Sequence, residues 1–306
     1  MLRQRTINTA VSAVGIGVHT GNKVQLTLKP APQNSGITFV RTDLPHYPRV
    51  RATATNVSST VLTTSLMEDG VTVSCVEHLM SAIWSLGIDN LTIEVTCEEV
   101  PIMDGSAAPF IYLIKSSGIK EQGAAKQFIK IRKPIEVVLE DTRASLLPYN
   151  GFKASYTFVY DHQVFNRYPK YAEVDFSNTS FVDEVSRART FGLIKELDQA
   201  QAMNKCLGSS LENAIGIDDY TILNKDGLRY EDEFVKHKLL DAIGDLYLLG
   251  RTILGEFVGV KSGHALNNSL ALALLEHTNA WELVSFEDEP ESETAKVHPF
   301  LQPIAA

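Results

Sequence analysis

The chain has 306 residues, which at roughly 150 residues per domain points to about two domains. Hydrophobic residues make up 44% and charged residues 21%, and 19 Gly with 12 Pro exclude the collagen-like and low-complexity classes. The net charge of −9, with no basic run, sets aside nucleic-acid binding, so an anionic ligand has to be held by a few placed cations.

In chain order, the N-terminal MLRQRTINTAVSAVGIGVHTG carries early charges and a short, broken apolar part, so it reads as neither a signal peptide nor a membrane span. Residues 24–28 (VQLTL), 37–41 (ITFVR), 71–73 (VTV) and 91–96 (LTIEVT) read as strands from β-branched content and alternation. Residues 75–86 (CVEHLMSAIWSL) read as a helix ending at Gly87. A second helix over 107–117 follows the turn-like PIMDGS at 101–106, and the polar KSSGIKEQGAAKQ (115–127) is the expected linker. Strands are expected at 128–131, 135–139 and 154–160, helices around 180–187 and 231–249, a last strand at 253–260 and a helix at 268–277.

No stretch reaches about 18 apolar residues, so a soluble protein without a transmembrane segment is expected, with peripheral membrane contact left open and a monomer as the expected state. The three cysteines, Cys75, Cys97 and Cys206, are odd in number and lack CxxC spacing, which fits a reducing compartment and a cytoplasmic location.

The two halves echo each other. VEHLMSAIWSLG (76–87) and VKHKLLDAIGDLYLLG (235–250) both run Val, charged residue, His, then an amphipathic stretch with Ala-Ile, and end in Gly. The offset of about 160 residues equals a domain length, which points to duplication. The expected architecture is α+β: two similar domains, 1–124 and 125–306, each with helices packed on one face of a mostly antiparallel sheet.

Three places carry candidate chemistry. His237, Asp241 and Asp245 are spaced i, i+4, i+8 and form one stripe on the expected helix. An imidazole and a carboxylate four apart reach one metal ion; the plainer reading is a solvated polar face. Glu77-His78 is the second place. Ser74-Cys75-Val76-Glu77 matches a capping box, which by itself accounts for Glu77, whereas His78 sits among core-facing Leu79 and Ile83. The third is His264, expected in a loop after Gly263, where an imidazole is exposed. Together, His78, His237 and Asp241 would hold a metal with one open position, Glu77 would serve as a base, and His264 would protonate a leaving group. That is the inventory of a zinc hydrolase. The same ligands suit Fe(II) in an oxygenase, but an unused Glu beside a ligand favours hydrolysis.

At these residues the chain resembles the zinc-dependent UDP-3-O-acyl-N-acetylglucosamine deacetylases, which carry out the committed step of lipid A biosynthesis in Gram-negative bacteria. The resemblance runs from end to end through GIGVHTG (15–21), SCVEH (74–78), LGIDN (86–90), PIMDGSA (101–107), SRARTFG (186–192), DGLRYEDEFVKHKLLDAIGDL (226–246) and KSGHALNN (261–268). It implies two similar domains with the active site between them, and a UDP-3-O-acyl-N-acetylglucosamine substrate. It implies Zn2+ as cofactor, with Fe2+ as the cellular alternative, on His78, His237 and Asp241. Glu77 would be the general base, His264 the general acid held by Asp245, and Thr190 the donor to the oxyanion. Lys238 and Lys261 would face the pyrophosphate. Phe191, Ile194, Cys206, Leu207 and Ala214 would line an acyl tunnel, and Tyr160 would pack on uracil; plain core packing is the simpler reading of these. Two residues depart from the family pattern. Thr63 stands where several relatives carry a Cys near the metal, and catalysis is not expected to depend on it. Ser209 follows Gly208 where relatives often have a second Gly, which leaves acyl-length preference open.

Rival readings remain distinguishable. Another zinc amidase acting on a nucleotide sugar would lack the matched acyl and nucleotide motifs. A non-haem Fe(II) oxygenase would need a cosubstrate site. A non-catalytic UDP-lipid binding protein would lose nothing when Glu77 becomes Ala.

Overall fold

The computed structural model describes residues 2–177 and 179–286; the expected end of the second domain at 306 lies outside the described residues. The first part of the chain forms β1 (Arg3–Ile7), β2 (Val11–Ile16), β3 (Lys23–Pro30), β4 (Ile37–Arg41), β5 (Arg49–Arg51), β6 (Val57–Ser59), β7 (Ser65–Glu68), β8 (Val71–Val73), α1 (Glu77–Ser85), β9 (Leu91–Val95), α2 (Ala108–Ser116) and β10 (Ile119–Ala125). The second part forms β11 (Gln127–Ile131), β12 (Ile135–Leu139), β13 (Thr142–Leu147), β14 (Phe152–Thr157), β15 (Tyr171–Asp175), α3 (Phe181–Glu184), β16 (Phe191–Leu193), α4 (Ile194–Ala202), β17 (Ile215–Ile217), α5 (Glu233–Tyr247), β18 (Thr252–Val260), α6 (His264–Glu276) and β19 (Trp281–Ser285).

The fold is α+β and carries an internal repeat. One sheet has the order β2-β3-β9-β4-β5, with only β9–β4 parallel. The other contains the run β12-β13-β18-β14-β15, with β18–β14 parallel and the remaining pairs of the run antiparallel. Order, direction and the helix that precedes the central strand (α1 before β9, α5 before β18) are the same in both. The echo at 76–87 and 235–250 is therefore the α1 and α5 pair. The second sheet is extended by β11, parallel to β18, and by β19 at its edge.

The alternation of β3 buries Val24, Leu26 and Leu28 and leaves Gln25 outside, as a strand with one covered face requires. Helices α1 and α5 are different. Eight of the nine residues of α1 are buried, and in α5 Lys238 alone escapes. A helix buried on all sides lies inside a protein. The two pack against each other, and Trp84 of α1 sits edge-on to Phe152, Phe176 and Phe181 at 5.2, 5.3 and 5.6 Å. Aromatic edge-to-face contacts thus join the first repeat to the second.

Several expectations need correction. The expected linker at 115–127 holds the end of α2 and strand β10, antiparallel to β1. Its polar look comes from half-exposed edge positions, and Lys126, at its end, is fully buried on Asp89 (2.5 Å). The strand at 253–260 is not the last, because β19 follows. The helix expected from 268 starts at His264, with Gly263 as its N-cap, so His264 is not in a loop. The capping box is absent: α1 begins at Glu77 after Val76, and no side chain caps it. Ser74 instead hydrogen-bonds Ser65.

Candidate active site

The site forms where the first turn of α1 meets the middle of α5. His78 comes from α1, and His237 and Asp241, one turn apart, from α5. All three are buried, and their ligand atoms lie within 4.8 Å of one another. Nε2 of His78 and Nε2 of His237 are each 3.4 Å from Oδ1 of Asp241, with the rings edge-on at 5.0 Å. Nδ1 of His237 is 3.1 Å from the carbonyl of Ala188. Burial drives this imidazole down to about 3, against the pull of Asp241, so it is neutral at pH 7. Nδ1–H then donates to Ala188, and the Nε2 lone pair faces Asp241. Burial alone would raise the Asp241 carboxyl, but His237 and Lys238 hold it well below its ordinary range. Its Oδ1 is buried with no hydrogen-bond partner. A lone pair facing an unsatisfied buried carboxylate oxygen is unfavourable without a cation between them. The donor set therefore fits a divalent metal, and a backbone carbonyl on the far ring nitrogen, as Ala188 provides for His237, fixes the ring orientation such binding needs.

Glu77 lies beside these three residues, 5% exposed. The hydroxyl of Thr63 donates to both of its oxygens, at 2.9 and 3.1 Å, and the amide of Thr64 donates at 3.1 Å. Burial raises its carboxyl above the ordinary value, against the lowering effect of His264 and His78. Thr63 thus holds Glu77 directly, a contact that the family comparison of that position does not anticipate.

His264 faces Glu77, Nε2 to Oε1, at 3.9 Å. Its Nδ1 is 2.9 Å from Oδ2 of Asp245. Asp245 also accepts from the Thr64 hydroxyl (2.6 Å) and the Asn267 amide (2.9 Å). Burial would lower the His264 imidazole, but Asp245, Glu77 and Asp241 together raise it to about 9, so it is protonated at neutral pH. Thr64 escapes a reading of the sequence, being 181 residues from its partner Asp245, whereas Asn267 lies in the KSGHALNN stretch and only its bond to Asp245 goes unread.

A cavity of about 410 Å³ opens at this point. Its lining includes Glu77, His78, Thr190, His237, Lys238, Asp241 and His264, and also Phe191, Ile194, Cys206, Ser209 and Ala214. Asp245 stands behind His264, outside the lining. The Thr190 amide donates to Gly105 of the PIMDGSA turn (2.9 Å), and its neighbour Arg189 is held by buried Glu233. Lys238 is engaged with Oδ2 of Asp241 (2.8 Å) and lies over the Phe191 ring. The structure does not bring Lys261, Leu207 or Tyr160 to the lining. Lys261 pairs with Asp141 (2.6 Å), Leu207 is 49% exposed, and Tyr160 stacks near Phe158 while its hydroxyl donates to Glu196.

Buried imidazole and carboxylate groups placed as candidate metal ligands, a carboxylate and an imidazole facing each other beside them, and a largely apolar cavity have the make-up of a metal-dependent enzyme. The profile of the UDP-3-O-acyl N-acetylglycosamine deacetylase family (LpxC) matches residues 4–276, and the chain belongs to this family. Curated relatives agree. The chain is 55% identical over 301 residues to the UDP-3-O-acyl-N-acetylglucosamine deacetylase of Marinobacter nauticus, covering 98% of this chain and 99% of the relative. It is 56% identical over 292 residues to the enzyme of that name from Chromohalobacter salexigens, at 95% and 96% coverage. With that of Hahella chejuensis it shares 52% over 301 residues, at 98% and 100%.

Proposed function

We infer that the chain hydrolyses the N-acetyl group of a UDP-3-O-acyl-N-acetylglucosamine, releasing acetate and a free amine, in lipid A biosynthesis. The observation that carries this reading is the convergence of His78 and His237 on the unsatisfied Oδ1 of Asp241, with Glu77 and His264 facing each other beside it. His78, His237 and Asp241 would hold Zn2+, or Fe2+ in its place. When bound, the metal supplies a Lewis acid for the acetamide carbonyl and lowers the pKa of water.

The remaining chemistry belongs to the side chains. Glu77, fixed by Thr63 and Thr64, takes a proton from water as the oxygen attacks the carbonyl carbon. The Thr190 hydroxyl donates to the developing oxyanion. Asp245 accepts from Nδ1–H of His264, which leaves Nε2–H to protonate the nitrogen as the C–N bond breaks. One proton is taken and one given; Glu77 and His264 stand 3.9 Å apart, beyond a direct hydrogen bond, so the pair is reset through exchange with water.

Phe191, Ile194, Cys206 and Ala214 would receive the acyl chain. Lys238 would meet the pyrophosphate from the cavity wall and Lys261 from outside it, with Leu207 at the tunnel mouth and Tyr160 packing on uracil. The repeat topology supports a division into 1–124 and 125–306. No helix among the described residues is long and apolar enough to cross a membrane. The three free cysteines fit a cytoplasmic enzyme. The test is acetate release from UDP-3-O-acyl-N-acetylglucosamine over a series of acyl lengths, with metal analysis of the same samples. Metal-dependent release is expected; metal-loaded protein that binds this substrate and releases no acetate would overturn the reading.

A further inference from the structure

A second group of metal-ligating side chains sits in the wall of the same cavity. His19 lies in the turn after β2, Cys75 just before α1 and Glu99 after β9. All three are buried, at 6%, 7% and 1% exposure, and their ligand atoms lie within 4.8 Å of one another. His19 and Cys75 line the cavity, and neither has a part in the chemistry above.

Two of the three lack something a cation would supply: Glu99 a counter-charge, and His19 a partner for its ring. Glu99 accepts only from neutral donors: the amides of His19 (2.7 Å) and Thr20 (3.0 Å), the Thr20 hydroxyl (2.9 Å) and the Cys75 thiol (3.2 Å). Among the described residues no lysine or arginine makes an ion pair with it, so its negative charge is buried without a cation. His19 Nε2 is buried and has no hydrogen-bond partner. Its Nδ1 has only the Cys206 amide at 3.3 Å and the Cys206 sulfur at 3.7 Å. Neither ring nitrogen has a strong contact to give up. Cys75 is held in the left-handed region (φ 59°), where a non-glycine residue needs its surroundings to keep it, and there its thiol reaches Glu99.

We propose that His19, Cys75 and Glu99 form a second metal site, which takes a soft divalent cation such as Zn2+ through imidazole, thiolate and carboxylate. Sulfur and nitrogen donors with one carboxylate suit zinc and its cobalt substitute. Binding exchanges one proton. The S–H that Cys75 now directs at Glu99 is lost to solvent, the sulfur lone pair goes to the metal, and the carboxylate gains the cation it lacks.

The test uses the full chain, stripped by chelator and titrated with Co2+. Two equivalents are expected, and one of them should bring a near-ultraviolet thiolate-to-cobalt charge-transfer band. Cys75→Ser should remove that band and its equivalent of metal, while His237→Ala should remove the other equivalent and keep the band. Bound metal should also protect Cys75 from alkylation in the unmutated chain, read by peptide mass mapping, so the result does not hinge on the folding of a variant. A single equivalent in the unmutated chain without a thiolate band, a band that survives Cys75→Ser, or unprotected Cys75 would overturn the proposal. An unmutated chain that takes up the thiolate-bound equivalent but lacks the second, His237-dependent one would instead count against the active-site reading, so the two failures are separable.

Discussion

The backbone of Gly244 in α5 lies against the backbone of Glu77 in α1 so closely that a methyl group at 244 would stand 2.0 Å from the Glu77 carbonyl oxygen. Backbone cannot move aside as a side chain end does, so the absence of a Cβ at 244 sets the distance between the two helices. Those helices carry His78 on one side and His237 and Asp241 on the other. In an ordinary helix interior Gly→Ala is stabilising by about 1 kcal/mol. Here Gly244→Ala is expected to have the opposite sign, a loss of about 1–3 kcal/mol as for overpacked cores. It should also weaken metal binding. Denaturant melts and metal titration of the variant check both.

Glu77→Gln is expected to keep the metal and lose turnover by roughly 10²–10⁴-fold, the usual contribution of a positioned acid or base. Glu77 caps no helix, so the loss of about 1 kcal/mol that follows removal of a cap is not expected. Melting temperature and turnover measured on one preparation separate the two roles. Thr63→Val, which removes the hydroxyl donor to Glu77, should lower turnover, and Thr63→Ser should restore most of it.

The imidazole of His264 is raised to about 9, burial working against it and Asp245, Glu77 and Asp241 prevailing. Its ordinary value is near 6.5, so the folded state binds the proton more tightly than the unfolded chain. The stabilisation is fully present below about pH 6.5 and is lost as pH rises through about 9. Activity that needs the protonated ring should fall on the same alkaline side. Asp245→Asn should move the alkaline limb of the pH–rate profile down toward 6.5, and His264→Ala should flatten it in whatever activity remains. An alkaline limb unchanged in both variants would remove His264 as the general acid.

Much of this site is legible in the sequence because it rides on helices. The i, i+4 spacing of His237 and Asp241, and the apolar run around His78, depend only on local periodicity. What escapes is carried by contacts between distant segments. Thr64 reaches Asp245 across 181 residues, and the burial of Glu77 under Thr63 hides behind a convincing capping pattern at Ser74. Short strands such as β16 and β17 pair in parallel with each other and show no alternation long enough to read. Strand β10 looks like a linker because its exposed edge positions are polar, although its partner β1 holds it in register. The repeat shows in one helix pair of the sequence, whereas the matching strand order emerges only from the pairing.

The central claim is that His78, His237 and Asp241 hold one metal on which activity depends. Its most direct test is the metal content per chain of His237→Ala, measured in the Cys75→Ser background so that the second proposed site does not contribute. Near-complete loss of metal, with acetate release lost in parallel, is expected. Metal content equal to that of the Cys75→Ser parent would contradict the claim and remove His237 from the ligand set.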